Sequence, residues 1–253
     1  MGIRSRTDLW ARRLYSAARG REISDNCSVW VIGREVVART PALVRGYVHG
    51  RSYGACGLAH FRSSGVTVRF PKYLEIGKFV VLGEGVSILA FGECGVVMGE
   101  GVTVAKGAHI GASGVVSDPG IGVSIGSCTS IGMNNVIWGQ GGVTIGNDCL
   151  LGPNVVVISE DHGFDDNETP IRRQECERGP VVIGDDCWLG SGVVVTKGVT
   201  IGNGCVVGAN SVVTQDLPAM SIAVGAPAKV VRHRLDIGEA VELNKQMRIE
   251  EGR

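Results

Sequence analysis

The chain has 253 residues, 39 of them glycine, with 5% aromatic residues and a formal net charge of zero at pH 7. No stretch approaches the ~18 consecutive apolar residues of a membrane-spanning helix. The eight cysteines form no CxxC pair, and the opening MGIRSRTDLWARR lacks the apolar core of a secretory signal. The expectation is a cytoplasmic protein with reduced thiols.

The charge is unevenly spread. Residues 1–72 carry 13 Lys and Arg against 4 Asp and Glu, a surplus of +9; residues 73–253 carry 12 against 21, a deficit of −9. The first 22 residues hold six arginines, and Trp10, Leu14, Ala17 and Ala18 are spaced for one apolar helix face. Residues 1–72 therefore read as a basic, partly helical N-terminal region. Its helix has two uses open to it: capping the end of a repeat domain, or peripheral contact with an anionic membrane face. Nucleic acid is not an expected partner, since no recognition module or aromatic-studded basic groove is present.

From Val182 to Leu217 the chain repeats every six residues: VIGDDC, WLGSGV, VVTKGV, TIGNGC, VVGANS, VVTQDL. The aliphatics are Ile183, Leu189, Val195, Ile201, Val207 and Val213. No α-helix has this period, and so much Gly and Val opposes helix. Hexads are the signature of a parallel β-helix, in which each unit is a short strand and a turn and three units close a coil. The same phase runs back through Val157, Leu151, Ile145, Ile137, Ile131 and Ile125, then Val116, Ile110, Val104, Met98, Ile88, Leu82 and Ile76. That predicts an all-β solenoid of about six coils over residues 73–232, its aliphatics stacked inward, with Cys149, Cys187 and Cys205 as core fillers. A short C-terminal helix is expected within 233–253, near 236–249.

The breaks in phase carry information. Steps of 10, 9 and 8 residues (88 to 98, 116 to 125, 137 to 145) predict small corner loops. From 157 to 183 the step is 26 where 6 were due, so 20 residues are extruded in a loop spanning 158–181. Long loops on a regular scaffold are where function concentrates. This one reads ISEDHGFDDNETPIRRQECERGP, with His162 among Glu160, Asp161, Asp165 and Asp166. On its residues alone His162 reads better as a solvated loop histidine than as a catalytic group.

With its hexads, its His-bearing loop, the run CWLGSGVVVTKGVTIGNGCVVGANSVVTQDL and the closing AVGAPAKVVR, the chain resembles the hexapeptide-repeat acyltransferases. The resemblance covers roughly 65–232. The segment RFPKYLEIGKFVVLGEGVSI is most similar to the O-acetyltransferases of sugars and surface polysaccharides. The resemblance implies a left-handed parallel β-helix, against the general preference for right-handed crossovers. It also implies a homotrimer, acetyl-CoA as acyl donor, no metal, and a sugar or glycan precursor as acceptor, of the capsule, lipopolysaccharide or exopolysaccharide kind.

In that family a loop histidine is the general base. The resemblance assigns the role to His162, 18 residues after Thr144 as the family pattern has it. A sugar hydroxyl is a poor nucleophile until its proton is accepted, which a neutral imidazole does well. By the same resemblance the Ser191 amide, beside Gly190, is the oxyanion donor. Asp161 or Glu160 is available to orient the imidazole, as is a backbone carbonyl. Trp188 reads either as a lining of the acyl-CoA groove or as a corner filler. Ala209 is placed against the pantetheine arm, and Thr214 and Gln215 near the adenine. The family commonly carries Lys where this chain has Gln215, which puts a charged contact there in question. Lys229, helped by Arg232, fits a CoA phosphate, or else a solvated basic face. Asn134 and Asn135 are placed near the acceptor.

Other readings of the same scaffold fit less well. A zinc hydratase needs three histidine ligands, and His109 and His162 are each isolated. An ice-binding solenoid needs outward threonine arrays. A serine acetyltransferase carries a larger helical domain before the repeat. A catalytically silent assembly protein and an N-acetyltransferase acting on an amino sugar stay open.

Overall fold

The structure is a computed structural model that describes residues 29–114 and 117–235. The expected N-terminal helix face at Trp10–Ala18, the unit at Val116 and the expected helix near 236–249 lie outside the described residues.

Parallel strands of two to four residues are shared among three sheets, which the chain visits in rotation. The first sheet takes Ala55–Cys56, Leu74–Ile76, Gly95–Met98, Gly122–Ile125, Val143–Ile145, Val181–Ile183 and Thr200–Ile201. The second takes Phe61–Arg62, Val81–Leu82, Thr103–Val104, Ser130–Ile131, Leu150–Leu151, Trp188–Leu189, Val206–Val207 and Ser221–Val224, closed by the antiparallel strand Lys229–His233. The third takes Thr67–Arg69, Ser87–Leu89, His109–Gly111, Val136–Trp138, Val156–Ile158, Val194–Val195 and Val212–Val213. The rotation thus begins at Ala55, one turn ahead of the boundary at 73 read from the hexads.

Register puts the repeat aliphatics in vertical rows. Ile76, Met98, Ile125, Ile145, Ile183 and Ile201 face one another in the first sheet. Leu82, Val104, Ile131, Leu151, Leu189 and Val207 do so in the second. Ile88, Ile110, Ile137, Val157, Val195 and Val213 do so in the third. All of these are buried. Cys149, Cys187 and Cys205 fill buried positions beside them, as expected.

Each turn must reverse the chain sharply, and the left-handed backbone region does this. Between second and third sheets the residue with positive φ is Gly65, Gly85, Gly107, Asn134, Asn154, Gly192 or Asn210. Asn134 (φ 55°) is therefore one of a column of turn residues, since Asn tolerates αL better than most side chains. Asn135 points inward: it is buried, and its Oδ1 accepts from the Val155 amide at 2.7 Å. The expectation that this pair contacts the acceptor is corrected for Asn135, whose side chain is engaged inside the coil.

A helix, α1 (Val29–Gly50), lies on the first coil. Its buried positions Ala42, Gly46 and Gly50 recur every four residues. They are small because His60 sits beneath them: a Cβ at Gly46 would lie 2.1 Å from the His60 carbonyl oxygen, and one at Gly50 2.6 Å from its ring.

Candidate functional site

Three edges join the three sheets, and the insertions share one. Residues 90–94, 112–121, 139–142 and 159–180 all connect a third-sheet strand to the next first-sheet strand. The long loop on this edge starts and ends as an antiparallel hairpin of Glu160–His162 against Cys176–Arg178. Its tip is laced by Gln174, which donates to the carbonyls of Asp166 (2.8 Å) and Thr169 (2.7 Å).

The hairpin is pinned at its base. Ser159 is buried; its hydroxyl donates to the Trp138 carbonyl (2.8 Å) and accepts from the Gly141 amide (2.9 Å). The Trp138 indole donates to Glu160 Oε1 (2.8 Å), and its ring stacks on His109 at 5.7 Å between centroids. Gly111 and Gly114 leave room for that ring: a Cβ at either would come within 2.8 Å of it. Arg178 pairs with Asp118 (2.6 Å), and Lys197 pairs with Glu177 and, at 3.6 Å, with Asp161. The Glu177 carboxylate, then Asp161, holds the Lys197 ammonium above its ordinary titration range.

His162 is exposed on this hairpin, directly across from Cys176, with Nδ1 at 3.4 Å from the Cys176 sulfur. Successive strand residues face opposite sides. Glu160 and His162 therefore share a side, and Asp161 faces the other way, toward Lys197. Neither carboxylate considered as a partner for the imidazole takes that place: Glu160 holds Trp138 and Asp161 holds Lys197.

The other expected site residues gather elsewhere. Gly190 and Ser191 lie on the edge between second and third sheets, stacked between Gly152 below and Gly208–Ala209 above. A Cβ at Gly152 would lie 2.7 Å from the Ser191 nitrogen, and one at Gly190 2.6 Å from the Ala209 nitrogen, so only glycine lets these turns close up. No acceptor takes the Ser191 or the Ala209 amide among the described residues, which leaves two stacked N–H groups on this edge.

Beside them, the outer surface of the second sheet carries a ladder row: Leu150, Trp188, Val206, Ile222 and Arg232. Trp188 is 55% exposed, and so stands on this surface rather than filling a corner. At ~4.8 Å per strand, Arg232 is roughly 14 Å from it. Lys229 is exposed opposite Val224, whose side chain packs on Gly208. Trp188, Gly190, Ser191, Ala209, Lys229 and Arg232 thus form one continuous surface. Thr214 and Gln215 follow the last third-sheet strand and lie on the His162 edge. Within one chain the third sheet separates His162 from Ser191.

Sequence reasoning missed Trp138, Lys197, the Arg178–Asp118 pair and Cys176. Trp138 alone left a signal, as an aromatic in a repeat that avoids them. Among the described residues no three His, Cys, Asp or Glu side chains are grouped to hold a metal ion, and no helix is long and apolar enough to cross a membrane.

Residues 180–215 match the family model described as bacterial transferase hexapeptide (six repeats). The chain is 32% identical over 229 residues to the probable acetyltransferase Rv3034c of Mycobacterium tuberculosis, covering 90% of this chain and 72% of that one. The chain belongs to the hexapeptide-repeat acyltransferase family. A putative acetyltransferase of Schizosaccharomyces pombe, C18B11.09c, is 41% identical over 91 residues, 36% of this chain and 42% of its own. Among solved structures, a point mutant of AntD, an N-acyltransferase from Bacillus cereus in complex with dTDP and coenzyme A, superposes with a TM-score of 0.51. It is 17% identical and covers 80% of this chain and 96% of that one, so the acyltransferase shares the fold of this family member.

Proposed function

We propose that this acyltransferase moves an acetyl group from acetyl-CoA to a sugar hydroxyl, on a left-handed β-helix assembled as a homotrimer. One observation carries the reading most: the histidine edge and the free-amide edge are separate in one chain, so a complete site needs the His162 edge of one subunit against the Ser191 edge of the next. The AntD structure, an N-acyltransferase with coenzyme A and dTDP bound, supports a CoA donor and a nucleotide-linked acceptor.

His162 accepts the hydroxyl proton as the acceptor oxygen attacks the thioester carbonyl. The Ser191 amide donates to the oxyanion. As the tetrahedral intermediate collapses the C–S bond breaks, and the imidazolium returns its proton to the leaving thiolate. Trp188 and the Ala209 amide flank the pantetheine arm, while Lys229 and Arg232 offset phosphate charge.

Calorimetric titration with acetyl-CoA, CoA and 3′-dephospho-CoA tests the donor half. Saturable binding weakened by loss of the 3′-phosphate is expected; no binding at millimolar ligand sinks the proposal. A panel of free sugars, amino sugars and nucleotide sugars then separates O- from N-transfer.

A further inference from the structure

We infer that Cys176 is the positioning residue of His162: its sulfur accepts the Nδ1–H of the imidazole and leaves Nε2 bare to take the acceptor proton. The inference rests on His162 being the general base.

Four observations carry it. His162 and Cys176 are a directly opposed pair of the loop hairpin, so backbone register brings the two side chains within reach of each other. The Nδ1 to Sγ distance is 3.4 Å. Asp161, on the opposite side of the strand, is paired with Lys197. Glu160, on the same side, accepts from the Trp138 indole. Among the described residues Cys176 is the only side chain bonded to that ring.

A base works through one nitrogen, and the hydrogen bond made by the other decides which nitrogen that is. With Nδ1 protonated and turned to sulfur, the lone pair sits on Nε2 and points away from the hairpin. When Nε2 takes the hydroxyl proton, the Nδ1–H stays on its sulfur and the ring does not rotate. The thiol is a weak acceptor. The imidazolium later gives its proton to the leaving CoA thiolate.

The deciding arm of the test needs no acceptor. In full-length protein labelled with 15N-histidine, the His162 signals are assigned by their disappearance in His162→Gln. Wild type is expected to show the Nδ1–H tautomer. Cys176→Ala is expected to lose that preference, and Cys176→Ser, whose hydroxyl also accepts, to keep it. Identical nitrogen shifts in wild type and Cys176→Ala overturn the inference. In turnover, Cys176→Ala should lower kcat by less than the roughly 10²–10⁴-fold of losing the base itself. The acetyl-CoA KM should not change, and Cys176→Ser should restore most of the rate. A fully active His162→Ala would remove the base reading instead, and the tautomer data would stand apart from it.

Discussion

The proposed mechanism asks His162 for proton acceptance and nothing structural, because its ring is exposed and, among the described residues, its only side-chain hydrogen bond is across the hairpin. His162→Ala is therefore expected to fold normally and lose about 10²–10⁴-fold in kcat. Circular dichroism and steady-state rates check both halves together. Lys229 offers a point charge at the end of the proposed donor surface. Lys229→Ala should raise the acetyl-CoA KM more than it lowers kcat, and should leave the KM for dephospho-CoA nearly unchanged. A KM equal to wild type for both donors would make Lys229 a solvated surface cation. At this scale the sequence was uneven. Trp188 and Ser191 sit in hexads whose spacing fixes their positions, and Lys229 in the closing GAPAK segment, so their shared surface was readable. Cys176 was not, because its partner depends on how a loop hairpin pairs, and nothing in a 20-residue insertion sets that register. Asn135 misled because an inward polar side chain that caps a neighbouring amide looks, in sequence, like one free to bind ligand.

The hairpin and α1 both depart from the repeat, and each is held by a few identifiable contacts. Trp138→Phe keeps the ring on Gly111 and removes the indole donor to Glu160. Faster amide exchange over 160–162 and a several-fold loss of kcat are expected, with global stability little changed; unchanged exchange would show that Arg178 and Lys197 suffice to hold the loop. α1 depends on His60. Burial, then the neighbouring Arg62 and His49 charges, hold the His60 ring below the ordinary imidazole value of 6.5. Its Nε2 is buried with no partner among the described residues, so protonation has nowhere to place the second N–H. Above pH 6.5 the ring is neutral in both folded and unfolded chains, and stability is at its full value. As pH falls below 6.5 the unfolded chain binds the proton first, and stability drops until the folded ring titrates. α1 amides should show smaller protection factors, relative to unstructured amides at the same pH, at about pH 5 than at about pH 7.5, and His60→Gln should flatten that dependence. The first coil escaped the sequence reading for a related reason. Cys56 and Arg62 stand where Ile76 and Leu82 stand one turn above, so the aliphatic rhythm is missing where the helix lies. Arg62 instead donates to the Tyr53 hydroxyl (2.8 Å) and the Val66 carbonyl (2.6 Å).

For the whole molecule the rows of Ile, Leu and Val decide the fold, and a stacked row was legible because one period of six repeats the same environment on every strand. What the period left out was the direction of the insertions, which depends on which of three corners a break falls at. The proposed trimer can be tested by mixing subunits. Chains carrying His162→Ala and chains carrying Ala209→Trp should each be inactive, the second because the indole fills the donor edge. Trimers refolded from a mixture should recover activity, since some interfaces then pair an intact histidine edge with an intact donor edge. No recovery in trimers whose mixed composition is verified by native mass spectrometry would place both halves of the site within one chain.

The shared corner of the four insertions also bears on how such a protein diverges. An added residue anywhere else would push a strand out of line with its neighbours above and below and dislocate three rows at once. Along this one seam the chain lengthens freely, from the 4 residues of 139–142 to the 22 of 159–180, and each following strand still finds its partner. The molecule therefore has a fixed side and an adjustable side. The proposed donor surface lies on the fixed side, where a Cβ at Gly152 or Gly190 would collide with the turn above. The seam that presents the histidine is open to redrafting, so the same chassis can take up a new acceptor without relearning how to hold its acyl carrier.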